Sequence, residues 1–447
     1  MDPQITAAIH AFREKLYKRS FIPLSKQQAV SAVDTPAKGP VWVSRVKFPA
    51  AHLEGLSRAV VDAVKELGNG NEQFDIPHNL DIVGEWVGYR SGVSKAEPEP
   101  EICDQQKYDC LMRDVGSEVT ILYVHGGALY TGCPATVRPA TAALAKLTRG
   151  RCFSVDYRLS PQNSFPGALV DVLGAYLSLL YPPPGSYHKA VSSYSIVLAG
   201  ESSGAYLVLA LLLIIQQLRP SQQIQDTGIK VSGSKVGVPF PAGVALYAAE
   251  GDRTHCLPSY KNNAKLDLLQ DPQPCLDDRF PPDAIWPSKP PRGDVFCEIS
   301  ALCHPLVSPA AAASKYWSNM PPMWFAYGQE QLVDDGRIIA KQVLDRGGTV
   351  QFAEYEGLPH IFAFLFPAIP QSAHLIGSWA DFCLRCAQNP DEIESISIRY
   401  EATDRNLVGK KIGRLTDLDE ETVRSLMQKK KKQYKVWTGK RSNKVCL

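Results

Sequence analysis

The chain has 447 residues, 45% hydrophobic and 21% charged, which is enough apolar material for one large core or two to three domains. A formal net charge of +2 excludes a chain-wide basic field, so nucleic acid is not an expected partner. The polar start Met1-Asp2-Pro3-Gln4 has no apolar stretch behind it, and the longest apolar run, Ala205 to Ile215, is about half a membrane span; both point to an intracellular chain whose 11 cysteines are reduced thiols.

In chain order, Ile5, Ile9, Phe12 and Leu16 repeat at helical spacing, and residues 51–67 do so again before the stop at Gly68-Asn69-Gly70. Residues 1–80 therefore read as a helical cap segment. Strands are expected at 83–89, 109–115 and 118–125, the last with an unbroken Ile121-Leu122-Tyr123-Val124 centre. Helix 140–147, strand 152–157, helix 168–180, strand 195–200, the helix after Gly204 and a strand at 244–248 follow. Residues 250–318, rich in Pro, Asp and Cys, interrupt this rhythm as an insertion. It resumes with strand 323–327, helix 336–346, strand 350–355 and helix 374–388. Such alternation predicts an α/β fold over 81–390, with a mostly parallel central sheet and helices on both faces. Residues 391–447 form a basic extension: 393–400 reads as an edge strand. Lys429-Lys430-Lys431-Lys432, Lys435, Lys440, Arg441 and Lys444 read as a solvated tail, with contact to an anionic membrane surface as the sharper alternative. Cys383-x-x-Cys386 has no second Cys or His pair at zinc spacing and falls in an expected helix, so no metal or redox role is expected of it, and no cofactor is expected of the chain.

The chemistry centres on Gly200-Glu201-Ser202-Ser203-Gly204, where a strand breaks into a helix and a hydroxyl sits at the apex. A serine needs a base to take its proton and an acid to orient that base. Glu330 follows the 323–327 strand and His360 follows the 350–355 strand, placing all three at strand carboxyl ends. Asp334 and Asp335 compete for the acid role, with helix N-capping as their simpler job. Backbone N–H groups of Gly126, Gly127, Ala128 and Ser203 are the expected oxyanion donors. Tyr157-Arg158 reads as packing beneath the oxyanion loop, His304 as fixing a loop, and His188 and His255 as surface histidines; Trp286 reads equally as pocket wall or as cover.

The segments His125-Gly126-Gly127-Ala128, Tyr157-Arg158-Leu159-Ser160-Pro161 with Phe165-Pro166, Gly200-Glu201-Ser202-Ser203-Gly204 and His304-Pro305-Leu306-Val307-Ser308-Pro309 resemble the hormone-sensitive lipase-like family of α/β-hydrolases, and within it the fungal steryl acetyl hydrolase-like proteins. The likeness spans about 83–387. It implies the α/β-hydrolase fold, a helical cap over an apolar pocket, and hydrolysis of a small or medium apolar ester through a serine acyl-enzyme without a metal. Ala128 for a third glycine, Glu201 and Ser203 for the usual Asp and Ala, and Glu330 for the usual Asp depart from the family pattern. Acyl transfer, or ligand binding without turnover on the same fold, are the alternatives; oligomeric state is not legible.

Overall fold

The computed structural model of the protein describes residues 3–19, 21–219, 228–269, 280–403 and 406–436. Among them one sheet is formed by β1 (Val41–Phe48), β2 (Ile82–Tyr89), β3 (Thr120–Val124), β4 (Arg151–Val155), β5 (Ile196–Glu201), β6 (Gly243–Tyr247), β7 (Met323–Gly328), β8 (Val350–Tyr355), β9 (Ile396–Thr403) and β10 (Asn406–Lys411). Their spatial order is β1-β2-β4-β3-β5-β6-β7-β8-β9-β10. Every pair from β4 to β9 is parallel, and β1, β2 and β10 run antiparallel to their neighbours. β3 shows why its sequence is an unbroken apolar run. Leu122 and Val124 join the core on one face, Ile121 and Tyr123 the core on the other, so neither face meets water.

Helices of eight residues or more are α1 (Pro3–Arg19), α2 (Leu24–Ser31), α3 (Leu56–Leu67), α4 (Asp104–Asp114), α5 (Pro134–Thr148), α6 (Gly167–Leu180), α7 (Ser203–Leu218), α8 (Val333–Asp345), α9 (Pro370–Gln388) and α10 (Glu420–Lys431). One core takes in α3, α6, α7 and α8; the other takes in α5 and α9, which touch each other. Every residue of α6 is buried, which explains an apolar sequence with no polar stripe.

Four expectations give way. Residues 109–115 lie in and beyond α4, not in a strand: Tyr108 and Leu111 are buried one turn apart, and Gln106 Oε1 accepts the Cys103 N–H at 3.2 Å to close the helix start. The first 80 residues are not helical throughout, because Val41–Phe48 pairs with β2 as the outermost strand. The strand expected at 393–400 is β9, flanked by β8 and β10 and so no edge. Lys429, Lys430 and Lys431 end α10, which Asp419 caps through Thr422 N at 2.8 Å and which buries Val423 and Met427 one turn apart; this stretch is docked, not a loose tail. Lys440, Arg441 and Lys444 lie outside the described residues. No described helix is long and apolar enough to cross a membrane.

The N-terminal helices meet the insertion. Arg13 bonds to Ala264 O, and Ser25 N–H donates to Asp283 Oδ2 at 2.8 Å. Leu24 packs in a small cluster with Phe280, Trp286 and Val295, so Trp286 is a covering aromatic.

Candidate active site

β5 runs into α7 through Ser202, whose φ of 53° and ψ of −127° are strained for a residue carrying a Cβ and set the hydroxyl at the turn's apex. Close approach requires the flanking glycines. A Cβ on Gly204 would stand 2.1 Å from Val124 O, and one on Gly200 2.7 Å from the same oxygen.

Ser202 Oγ lies 2.9 Å from His360 Nε2, and His360 Nδ1 lies 2.8 Å from Glu330 Oε1. Glu330 is fully buried just after β7, where the Gly328 N–H donates to Oε2 at 3.2 Å. Burial raises the Glu330 carboxyl against the pull of His360. For His360, burial works downward, but the carboxylates of Glu330, Asp267 and Glu250 outweigh it and hold the imidazole above its ordinary value.

Asp334 and Asp335 serve neither of the roles weighed for them. The N-cap of α8 is Leu332, without a side-chain cap. Asp334 Oδ2 accepts the Ser259 N–H at 2.8 Å, and Asp335 Oδ2 accepts from Gly251 N at 2.7 Å, Asp252 N at 2.9 Å and Tyr260 Oη at 3.1 Å. Both acids hold the loop at 251–260.

The expected oxyanion set needs one correction. Gly126 N–H donates to Glu201 Oε1 at 2.6 Å and so is not free for a substrate. Burial pushes the Glu201 carboxyl up to about 7, opposed by Tyr123 and by this N–H. The N–H groups of Gly127 and Ala128 take no acceptor among the described residues, and Ser203 N begins α7 beside Ser202. Ser203 Oγ accepts the Leu129 N–H at 3.2 Å, which ties the oxyanion loop to the elbow. Beneath it, Tyr157 Oη donates to His125 O at 2.8 Å and the two rings stack 4.4 Å apart.

Three residues escaped sequence reasoning. Asp267, fully buried inside the insertion, accepts the His360 N–H on Oδ1 at 2.9 Å and the Gln331 N–H on Oδ2 at 2.7 Å, clamping the two loops that carry His360 and Glu330. Glu250 and Arg253 line the same cavity as Ser202. No motif marks a lone acid in an irregular stretch. His255 also lines that cavity, and His188 is buried against Ser178 O at 3.0 Å, so neither is a surface histidine. His304 does fix a loop, through Val64 O and Leu306 N at 2.9 Å each. Among the described residues no acidic, His or Cys group could hold a metal ion, and Cys383 and Cys386 are free, buried thiols in α9.

The fold is shared with known proteins. Residues 121–364 match the α/β-hydrolase fold family, to which the chain belongs. An acetyl-hydrolase of Streptomyces hygroscopicus is 27% identical over 260 residues, 58% of this chain and 72% of that protein. A versiconal hemiacetal acetate esterase of Emericella nidulans is 26% identical over 256 residues, 57% and 77% respectively. A hormone-sensitive lipase from a metagenome library superposes with a TM-score of 0.55 at 21% identity, over 86% of this chain and 98% of that one, a likeness of fold. The chain is thus an α/β-hydrolase, and the relatives it resembles are named as an acetyl-hydrolase and an acetate esterase.

Proposed function

We propose that Ser202 is the nucleophile, His360 the base and Glu330 the acid that orients it, acting on esters of short acyl chains. The observation that carries this is the unbroken hydrogen-bonded line from Ser202 Oγ through both nitrogens of His360 to Glu330, opening on a cavity of about 370 Å³. His360 Nε2 takes the hydroxyl proton as Oγ adds to the ester carbonyl. The N–H groups of Gly127, Ala128 and Ser203 receive the developing oxyanion. Collapse expels the alcohol, protonated by His360, and leaves an acyl-Ser202 that water cleaves by the same steps in reverse. Short acyl groups are favoured because the similar proteins are named for acetyl and acetate esters and because the cavity is modest. The test is Ser202→Ala against a series of aryl esters of increasing acyl length. Wild type is expected to peak at short chains and the variant to lose on the order of 10⁴-fold or more in kcat. A variant that keeps wild-type turnover refutes the assignment.

A further inference from the structure

The cavity over Ser202 is apolar in part only. Leu16, Leu268, Phe280, Val295 and Leu332 line it, but so do Glu250, Arg253, His255 and Asp294. Glu250, Arg253 and Asp294 are each more than nine-tenths buried. Glu250 sits next to the nucleophile, its N–H 3.4 Å from Ser202 O. Arg253 Nε donates to Asp294 Oδ1 at 3.0 Å, and Nη1 to both Glu250 oxygens at 3.1 and 3.3 Å. His255 Nε2 lies 3.2 Å from Glu250 Oε1.

The remaining guanidinium nitrogen, Arg253 Nη2, takes no acceptor among the described residues, although the side chain is held rigidly at the cavity wall. A desolvated cation with an unused donor is a strong site for an oxygen acceptor. The charge of that acceptor follows from the neighbours. At Arg253 itself the two bonded carboxylates take up the guanidinium charge, so the unused donor offers no surplus positive charge to an anion and suits a neutral oxygen. Leu268, Phe280, Val295 and Leu332 give the same cavity an apolar wall for hydrocarbon, beside the polar Arg19, Gln27 and Gln331.

We propose that Arg253, clamped by Glu250 and Asp294, selects esters that carry a neutral hydroxyl or carbonyl oxygen away from the scissile bond on an otherwise apolar body. Arg253 thereby acts as a specificity residue in the pocket. This rests on the reading of Ser202 as nucleophile, and it deepens that reading by naming the substrate class.

The test uses the full chain and matched short esters: an all-hydrocarbon parent, a partner hydroxylated at the far end of the alcohol, and one hydroxylated on the acyl side. Wild type is expected to favour one hydroxylated partner over the parent by about tenfold or more in kcat/KM. Arg253→Lys keeps a charge for the two acids but lacks the fork, and its preference is expected to fall below about threefold. Hydrolysis of all three esters at equal kcat/KM by wild type overturns the proposal, as does a preference undiminished in R253K. If R253K does not fold, Arg253→Gln is read in its place, and the wild-type ratio still decides. Hydrolysis of none of the esters overturns the Ser202 reading instead.

Discussion

Asp267 bridges two loops that arrive from different strands, holding the backbone of His360 and of Gln331, the neighbour of Glu330. It also faces His360 electrostatically, alongside Glu330 and Glu250. A base must be unprotonated to work, so activity rises with pH through the His360 pKa, which these carboxylates keep raised. Asp267→Asn removes one of them and turns an amide group toward a backbone N–H. The acid limb of the kcat/KM profile is therefore expected to move to lower pH, with kcat down about tenfold. A pH–rate profile of the variant measures both; an acid limb that stays put or moves up contradicts this account. Ser202, Glu330 and His360 could be placed from sequence because each follows a strand in the required order. Asp267 could not, since its partners are backbone groups that only tertiary folding brings near.

At the level of elements, the elbow between β5 and α7 and the helix α8 are joined through the loop at 251–260. Asp335 at the start of α8 accepts three hydrogen bonds from that loop, and the loop carries Arg253 to the cavity. Burial raises the Asp335 carboxyl well above its usual range, against the two backbone N–H donors. Replacing it with Ala strands three donors in the interior, a loss of about 3–5 kcal/mol read from the denaturant midpoint. The selectivity of the cavity is expected to decline with it. Alternation of apolar runs and helical stretches was enough to place most core elements. It failed at 109–115, where a seven-residue apolar pattern fits either period and the capping contact of Gln106 decides for helix.

Across the whole molecule, the N-terminal helices line the site and the C-terminal helix α10 braces the insertion beside it. α1 and α2 contribute Leu16, Arg19 and Gln27 to the cavity. At the other end, α10 buries Val423 and Met427, Lys431 Nζ donates to Ser300 O at 2.6 Å, and Tyr434 Oη donates to Thr254 O at 3.1 Å, the neighbour of Arg253. Ending the chain after Lys411 removes these contacts. Stability is expected to drop by about 3–6 kcal/mol, from two fully buried apolar side chains and a nearly buried tyrosine, with a parallel fall in the cavity's preference for oxygenated esters. Chemical denaturation beside the matched-ester assay tests both. The amino-acid sequence by itself determined the parallel strands of the sheet, the elbow at Ser202 and the order of Glu330 and His360. These rest on local periodicity and on side chains a few residues from a strand end. Only the tertiary structure decided that Gly126 serves Glu201, that Asp267 clamps two loops and that Arg253 stands in the cavity wall. Each of these depends on contacts between segments dozens of residues apart or more, whose register no local pattern encodes.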